Sequence, residues 1–171
     1  MGNTITLKRI PDMVLSMSNG LTSVFISTFG LSGSILAKTE QEKKLVMYIL
    51  EKNQSILGIG FVDFDIGSMP WDLKNLEDNK KFVFSILDGI KNKTEWEKLP
   101  FTPNEEMLNR CIFEFKNMIS EMKSEDINEK EINEWSKNPK LNDLIKNGFP
   151  LCPSHDVLMT IYGCQMCTEW Q

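Results

Sequence analysis

Apolar residues recur at intervals of three and four from Met107 through Leu108, Cys111, Ile112, Phe115, Met118 and Ile119 to Met122. That spacing gathers them on one stripe of a helix. Just before it, Thr102, Pro103 and Glu105 supply a cap, a proline at the first helical position and an acid that reaches back to free N–H groups, so a core helix is expected over 103–123. Thr39 followed by Glu42 is a capping box ahead of Leu45, Val46, Ile49 and Leu50, which predicts a second helix over 40–53. A third is expected over 75–91, where Leu76, Val83, Ile86, Leu87 and Ile90 share one face. Asn128 and Asn138 open two short helices, the latter closed by Gly148.

Period-two patterns fall earlier in the chain. Residues 4–10 read as a strand ended by Pro11, and 56–66 as another, in which Val62, Phe64 and Ile66 alternate with Phe61, Asp63 and Asp65. Residues 12–21 read as a short helix through Met13, Val14, Met17 and Leu21, while 23–29 and 31–37 look extended, with Gly30 and Gly33 giving turn freedom between them. Strands thus lead and helices follow. The expected class is α+β: an N-terminal antiparallel sheet packed by several helices, one domain over 1–148, with a C-terminal segment over 149–171.

With 171 residues, 41% of them hydrophobic, the chain can bury roughly 70% of its unfolded surface, so its stability demands neither a metal nor a disulfide. No run reaches the roughly 18 apolar residues that span a bilayer, and no secretory leader is visible, which predicts a cytoplasmic protein without membrane contact. Gly2 and Thr6 fit a short acylation pattern, but an ordinary N-terminus leading into a strand is the simpler reading.

Chemistry concentrates at the other end. Three of the four cysteines and the only histidine lie within sixteen residues, as Cys152-Pro-Ser-His155 and, eight residues on, Cys164-Gln-Met-Cys167. A two-residue gap lets a tight turn aim both side chains at one ion, and three cysteines with one histidine make a standard tetrahedral zinc set. Pro153 suits the second position of such a turn and Gly163 frees the backbone entering the second pair. The pattern over 152–167 resembles a zinc ribbon or zinc knuckle, and that resemblance implies a structural Zn²⁺ held by Cys152, His155, Cys164 and Cys167. Zinc ribbons and fingers separate their pairs by about 12 to 20 residues, so the eight residues 156–163 must curl back as a compact loop without a long hairpin. Unmetallated thiols, a Cys164–Cys167 disulfide, a redox pair and catalytic zinc are the competing readings. Cys111, on the apolar stripe of the 103–123 helix, reads as a buried small hydrophobe.

Charge narrows the partners. Residues 148–171 contain no Lys or Arg, only Asp156 and Glu169, the opposite sign to that of a nucleic-acid zinc module. Residues 39–147 hold 21 acids against 16 bases, with Glu125, Asp126, Glu129, Glu131 and Glu134 clustered around Lys130. Such a cluster is a solvated helix face or a docking patch for a basic protein. In size, acidity and lack of catalytic motifs the chain resembles small bacterial immunity or antitoxin-type proteins, which implies a non-enzymatic protein that binds another protein. The alternative is a hydrolase using Asp63 and Asp65, whose side chains project from one side of a strand about 6.5 to 7 Å apart. Trp170, beside the cysteines, reads as packing or as an exposed interface anchor.

Overall fold

A computed structural model describes residues 3–53 and 63–170. Its sheet has three strands in the order β2-β1-β3, from β1 (Asn3–Thr6), β2 (Val14–Met17) and β3 (Asp63–Asp65). Seven helices complete the α+β fold: α1 (Asn19–Leu36), α2 (Glu40–Lys52), α3 (Leu76–Lys91), α4 (Glu105–Glu121), α5 (Glu129–Ser136), α6 (Pro139–Lys146) and α7 (Gln165–Glu169). The sheet is mixed rather than wholly antiparallel, because β1 runs antiparallel to β2 and parallel to β3. Between β1 and β3 lie α1 and α2, a crossover long enough to bring the chain back in the same direction.

The strand of 4–10 ends early, at Thr6, where the chain enters a turn closed by Ile10 N–H to Leu7 O. Residues 12–21 are not a helix. Val14 and Ser16 face solvent while Leu15 and Met17 are buried, so the period is two and helix begins only after the Ser18 cap. Of the strand expected over 56–66, the described part is Asp63–Asp65; the remainder falls outside the described residues.

The largest departure is α1, which replaces the two extended segments 23–29 and 31–37. Its residues are buried almost all round, as in a helix enclosed by neighbours, and it packs against α2, α3, α4 and α7. Burial of so many hydroxyls is tolerated because they bond back along the helix, Thr22 Oγ1 to Ser18 O at 2.8 Å and Thr28 Oγ1 to Val24 O at 2.8 Å. Gly30 and Gly33 serve close approach rather than turns. A Cβ on Gly30 would lie 2.4 Å from Leu50 Cδ2, and one on Gly33 would lie 2.7 Å from Val46 Cγ2.

The other helices follow their patterns. Thr39 and Glu42 form the capping box of α2. Asn104, not Thr102, caps α4 by accepting from Met107 N–H. Gly148 follows α6 with φ +79°, the left-handed turn that glycine adopts without penalty. Phe25, Phe29 and Phe115 meet in the centre of the main core. Cys111 is buried there too, and burial pushes its thiol up to about 11. No helix among the described residues is long and apolar enough to cross a membrane.

Candidate metal centre

Beyond α6 the chain forms two tight loops. Cys152 N–H donates to Val157 O and Asp156 N–H to Cys152 O, both at 2.8 Å, closing a loop that carries His155 at its tip. Leu151 and Leu158 flank it as an isolated antiparallel bridge. Thr160 and Gly163 then exchange both backbone hydrogen bonds at 2.9 Å, a hairpin one turn long that Gly163 completes at φ +89°. Cys164 follows as the cap of α7, its sulfur accepting from Cys167 N–H at 3.4 Å. Residues 156–163 thus curl back on themselves, as the short spacing demands.

The loops bring Cys152, His155, Cys164 and Cys167 together with all four donor atoms within 4.8 Å of one another. Cys152 Sγ lies 3.7 Å from Cys167 Sγ, and His155 Nδ1 lies 3.7, 3.7 and 3.4 Å from the sulfurs of Cys152, Cys164 and Cys167. A tetrahedron with metal–sulfur bonds of about 2.3 Å and a metal–nitrogen bond of about 2.0 Å has edges of about 3.8 Å between sulfurs and about 3.5 Å between sulfur and nitrogen. The residues therefore fit a four-coordinate metal ion, with Nδ1 the histidine donor. All four cysteines are free thiols.

Electrostatics agree with geometry. Burial raises the Cys152 thiol, but hydrogen bonds from the Ser154 and His155 backbone and the His155 ring outweigh it and bring it down to about 6. Burial pushes Cys164 up to about 12, with the sulfurs of Cys152 and Cys167 adding to the rise. Three adjacent sulfurs cannot all be anionic without a cation among them.

The centre is fixed to the fold by α1. Ser27 Oγ donates to Gln165 Oε1 at 3.2 Å, Trp170 Nε1 donates to Ser27 Oγ at 2.9 Å, Ser23 Oγ donates to Glu169 Oε1 at 2.7 Å, and Leu158 N–H donates to Ser34 Oγ at 3.0 Å. Ser23, Ser27 and Ser34 are spaced by four and seven residues, so they form one polar stripe along the helix. Beside it Leu31, Leu99, Val157 and Met166 close a small apolar cluster around Cys152 and Cys164. Trp170 is no exposed anchor; it packs on Phe101 with ring centroids 4.7 Å apart. Reading α1 as extended hid the serine stripe, whose four- and seven-residue spacing is its only sequence signal.

Asp63 is exposed on β3 but Asp65 is buried, against the expectation that both face water, and both act as cross-links. Asp63 Oδ1 accepts from Thr4 N–H at 2.9 Å and from Thr4 Oγ1 at 2.6 Å. Asp65 Oδ2 accepts from Lys8 N–H at 2.7 Å and Thr6 Oγ1 at 3.0 Å, and its Oδ1 accepts from Gly67 N–H at 2.9 Å. They border a concavity of about 340 Å³ with Tyr48, Lys52, Ser68 and Glu131. Lys52 sits 4.3 Å over the Tyr48 ring, and burial lowers its pKa. The acidic cluster is divided: Arg9 binds Asp126 at 2.8 Å, Glu131 takes a hydrogen bond from Ser68, and Glu125, Glu129 and Glu134 remain exposed.

Next to this concavity is Glu51, 6% exposed, with Oε2 accepting from Trp135 Nε1 at 2.8 Å and Oε1 without a partner among the described residues. Burial lifts its carboxyl to about 7 against the opposing Trp135 hydrogen bond and Lys52 charge. A carboxyl whose folded pKa is raised favours folding below its unfolded value, and the advantage is lost as pH rises through the folded value. Between an unfolded value of 4.5 and a folded value of about 7, the loss amounts to about 3 kcal/mol at roughly 1.4 kcal/mol per unit. Glu51→Gln keeps the acceptor for Trp135 without the charge. In urea unfolding it should match the parent at pH 4 and exceed it by about 3 kcal/mol at pH 8; equal stability at both pH values would show that Glu51 carries no buried charge.

Compared with known proteins, the chain matches no family model, no curated protein and no solved structure.

Proposed function

We propose that residues 152–167 form a structural zinc knuckle and that the protein works without catalysing a reaction, by binding another protein. The observation that carries the metal reading is the set of four near-tetrahedral edge distances, one between sulfurs and three from His155 Nδ1 to the sulfurs, with all four donors within 4.8 Å of one another. Soft sulfur donors with imidazole select zinc over magnesium or calcium. Four protein donors leave no coordination position for water, the pattern of structural rather than catalytic sites. Bound there, zinc supplies positive charge that keeps the three sulfurs as thiolates; Cys152 and Cys164 then hold the second loop and α7 against α1.

A basic protein partner is supported by the exposed Glu125, Glu129 and Glu134 and by the net charge of −5. The hydrolase alternative has less support, because both Asp65 oxygens already accept hydrogen bonds that join β3 to β1 and to the following turn.

Elemental analysis of protein purified without chelator should give one zinc per chain, and Co²⁺ exchanged into the site should show the intense visible bands of tetrahedral cobalt and a near-ultraviolet sulfur-to-metal charge-transfer band. Metal-free material that fails to take up either ion would sink the zinc reading.

A further inference from the structure

The sheet carries an open edge. In the order β2-β1-β3, β2 has a neighbour on one side only among the described residues. Thr4 donates its backbone N–H to Asp63 on β3, so the peptide groups of Thr4 point away from β2. Peptide groups alternate sides along a strand; those of Asn3 and Ile5 therefore face β2, where the register pairs them with Met17 and Leu15. The N–H and C=O groups of Val14 and Ser16 are left pointing outward, and among the described residues they make no backbone hydrogen bond outside the ladder.

A groove runs along this edge between β2 and α4. Its first part, about 230 Å³, is lined by Asp12, Met13, Val14 and Glu114; its second, about 260 Å³, is lined by Leu15, Leu21, Met107 and Arg110 and shares Glu114 with the first. Each is large enough for one side chain, since a cavity of about 150 Å³ holds benzene. The two parts follow one another along β2 from Val14 to Ser16, the step at which an added strand returns a side chain to the same face.

Charge selects the occupant. Neither Asp12 nor Glu114 has an ion pair among the described residues, whereas Arg110 lies 4.0 Å from Glu106. Pairing of β2 with a second copy would bring no base to Asp12 and Glu114, since residues 12–18 contain neither Lys nor Arg, in a protein already at net charge −5, which disfavours self-association.

We propose that the β2 edge is the docking site for an extended, basic segment of a partner protein. The segment adds to the sheet as a fourth strand, bonding to the outward peptide groups of Val14 and Ser16. It sets a Lys or Arg against Asp12 and Glu114, and two residues away an apolar side chain against Met107 and Leu21. Main-chain bonds supply affinity and the two pockets supply selectivity, as in other strand-addition complexes. This rests on the protein-binding reading above and locates it.

A random dodecapeptide phage library panned on the intact protein, followed by fluorescence anisotropy with a labelled synthetic copy of the strongest binder, tests the assignment. The expected peptide has a basic residue two positions from an apolar one, and its binding weakens as salt rises. Ser16→Pro removes an outward donor without touching the ladder, a place where an edge strand tolerates proline, and should weaken binding at least tenfold with little change in melting temperature. Glu114→Lys, on the helix side of the groove, should do the same if Ser16→Pro disturbs folding. Asp143→Lys, on α6 and outside both the groove and the acids of 125–134, should have no effect, while Glu129→Lys reports on those acids. Failure to enrich any peptide, or parent-like binding by both groove variants, overturns the proposal. Weakening by Glu129→Lys alone would keep the protein-binding reading and remove this site. A parent dimer in sedimentation that Ser16→Pro dissociates would replace the peptide with a second copy and overturn it as well.

Discussion

Cys164→Ser is expected to abolish stoichiometric zinc binding and to release the C-terminal segment from α1. Cys164 is at once a donor in the proposed metal site, the cap of α7 and a wall of the small apolar cluster around Leu31 and Met166, so the substitution strikes all three. A ligand present at 1,000 times its dissociation constant stabilises the folded state by about 4 kcal/mol, and for a chain of this size each kcal/mol corresponds to about 2–4 °C. Chelation of the parent should therefore lower the melting temperature by roughly 10–15 °C, and Cys164→Ser should match the chelated parent. Hydrogen exchange locates the effect: protection should vanish at the amides of Cys152, Asp156, Thr160 and Gly163, which the two loops bond internally, while those of α3 and α4 stay protected. Cys111→Ser, in the main core, should leave zinc content unchanged. A Cys164→Ser protein that retains full zinc and full protection would show that the three remaining donors suffice.

Phe115→Ala is expected to be the costliest single truncation in the main core. The ring is fully buried and meets Phe25 at 5.5 Å and Phe29 at 6.3 Å, each at an interplanar angle of 80°. Loss of a core phenylalanine costs about 3–5 kcal/mol through lost transfer energy and the cavity left behind, and edge-to-face partners add about 0.5–1.5 kcal/mol each. Urea denaturation should place this variant at least 3 kcal/mol below the parent. A loss below about 1 kcal/mol would mean that α1 and α4 close over the gap, contrary to the tight packing implied by Gly30 and Gly33 against α2. Because the proposed metal centre packs in a cluster separate from that of Phe115, the variant should take up metal as the parent does where it remains folded.

How much of this could be read from residues alone depended on whether a segment buries one side or all of itself. Helices α3 and α4 each present one apolar stripe and a wet back, and α2, though buried all round from Leu45 to Glu51, announces itself by its capping box, so periodicity and caps located them to within a few residues. Helix α1 has no wet back. Enclosed by four other helices, it shows no amphipathic period, and its Ser, Thr and Gly content resembles extended chain until its hydroxyls are seen to bond their own backbone. The antiparallel expectation missed the parallel partner of β1 because strand direction is set by the long crossover through α1 and α2, not by local alternation. The clustering of Cys152, His155, Cys164 and Cys167 was legible because a two-residue gap constrains geometry by itself. Its docking residues were not: Ser23, Ser27 and Ser34 touch residues more than 120 positions away, and no local pattern announces such a contact.

That serine stripe bears on how the protein is made. Ser23 meets Glu169 across 146 residues, so during synthesis α1 emerges from the ribosome long before its cover exists. Synthesis proceeds at about 5–20 residues per second, which leaves this side of the helix bare for many seconds in each nascent chain. A hydroxyl-lined surface waits in water without recruiting neighbouring chains, as a leucine-lined one would not. The helix gains its cover only when Gln165 and Glu169 reach it, so closure of this side waits on the C-terminal segment.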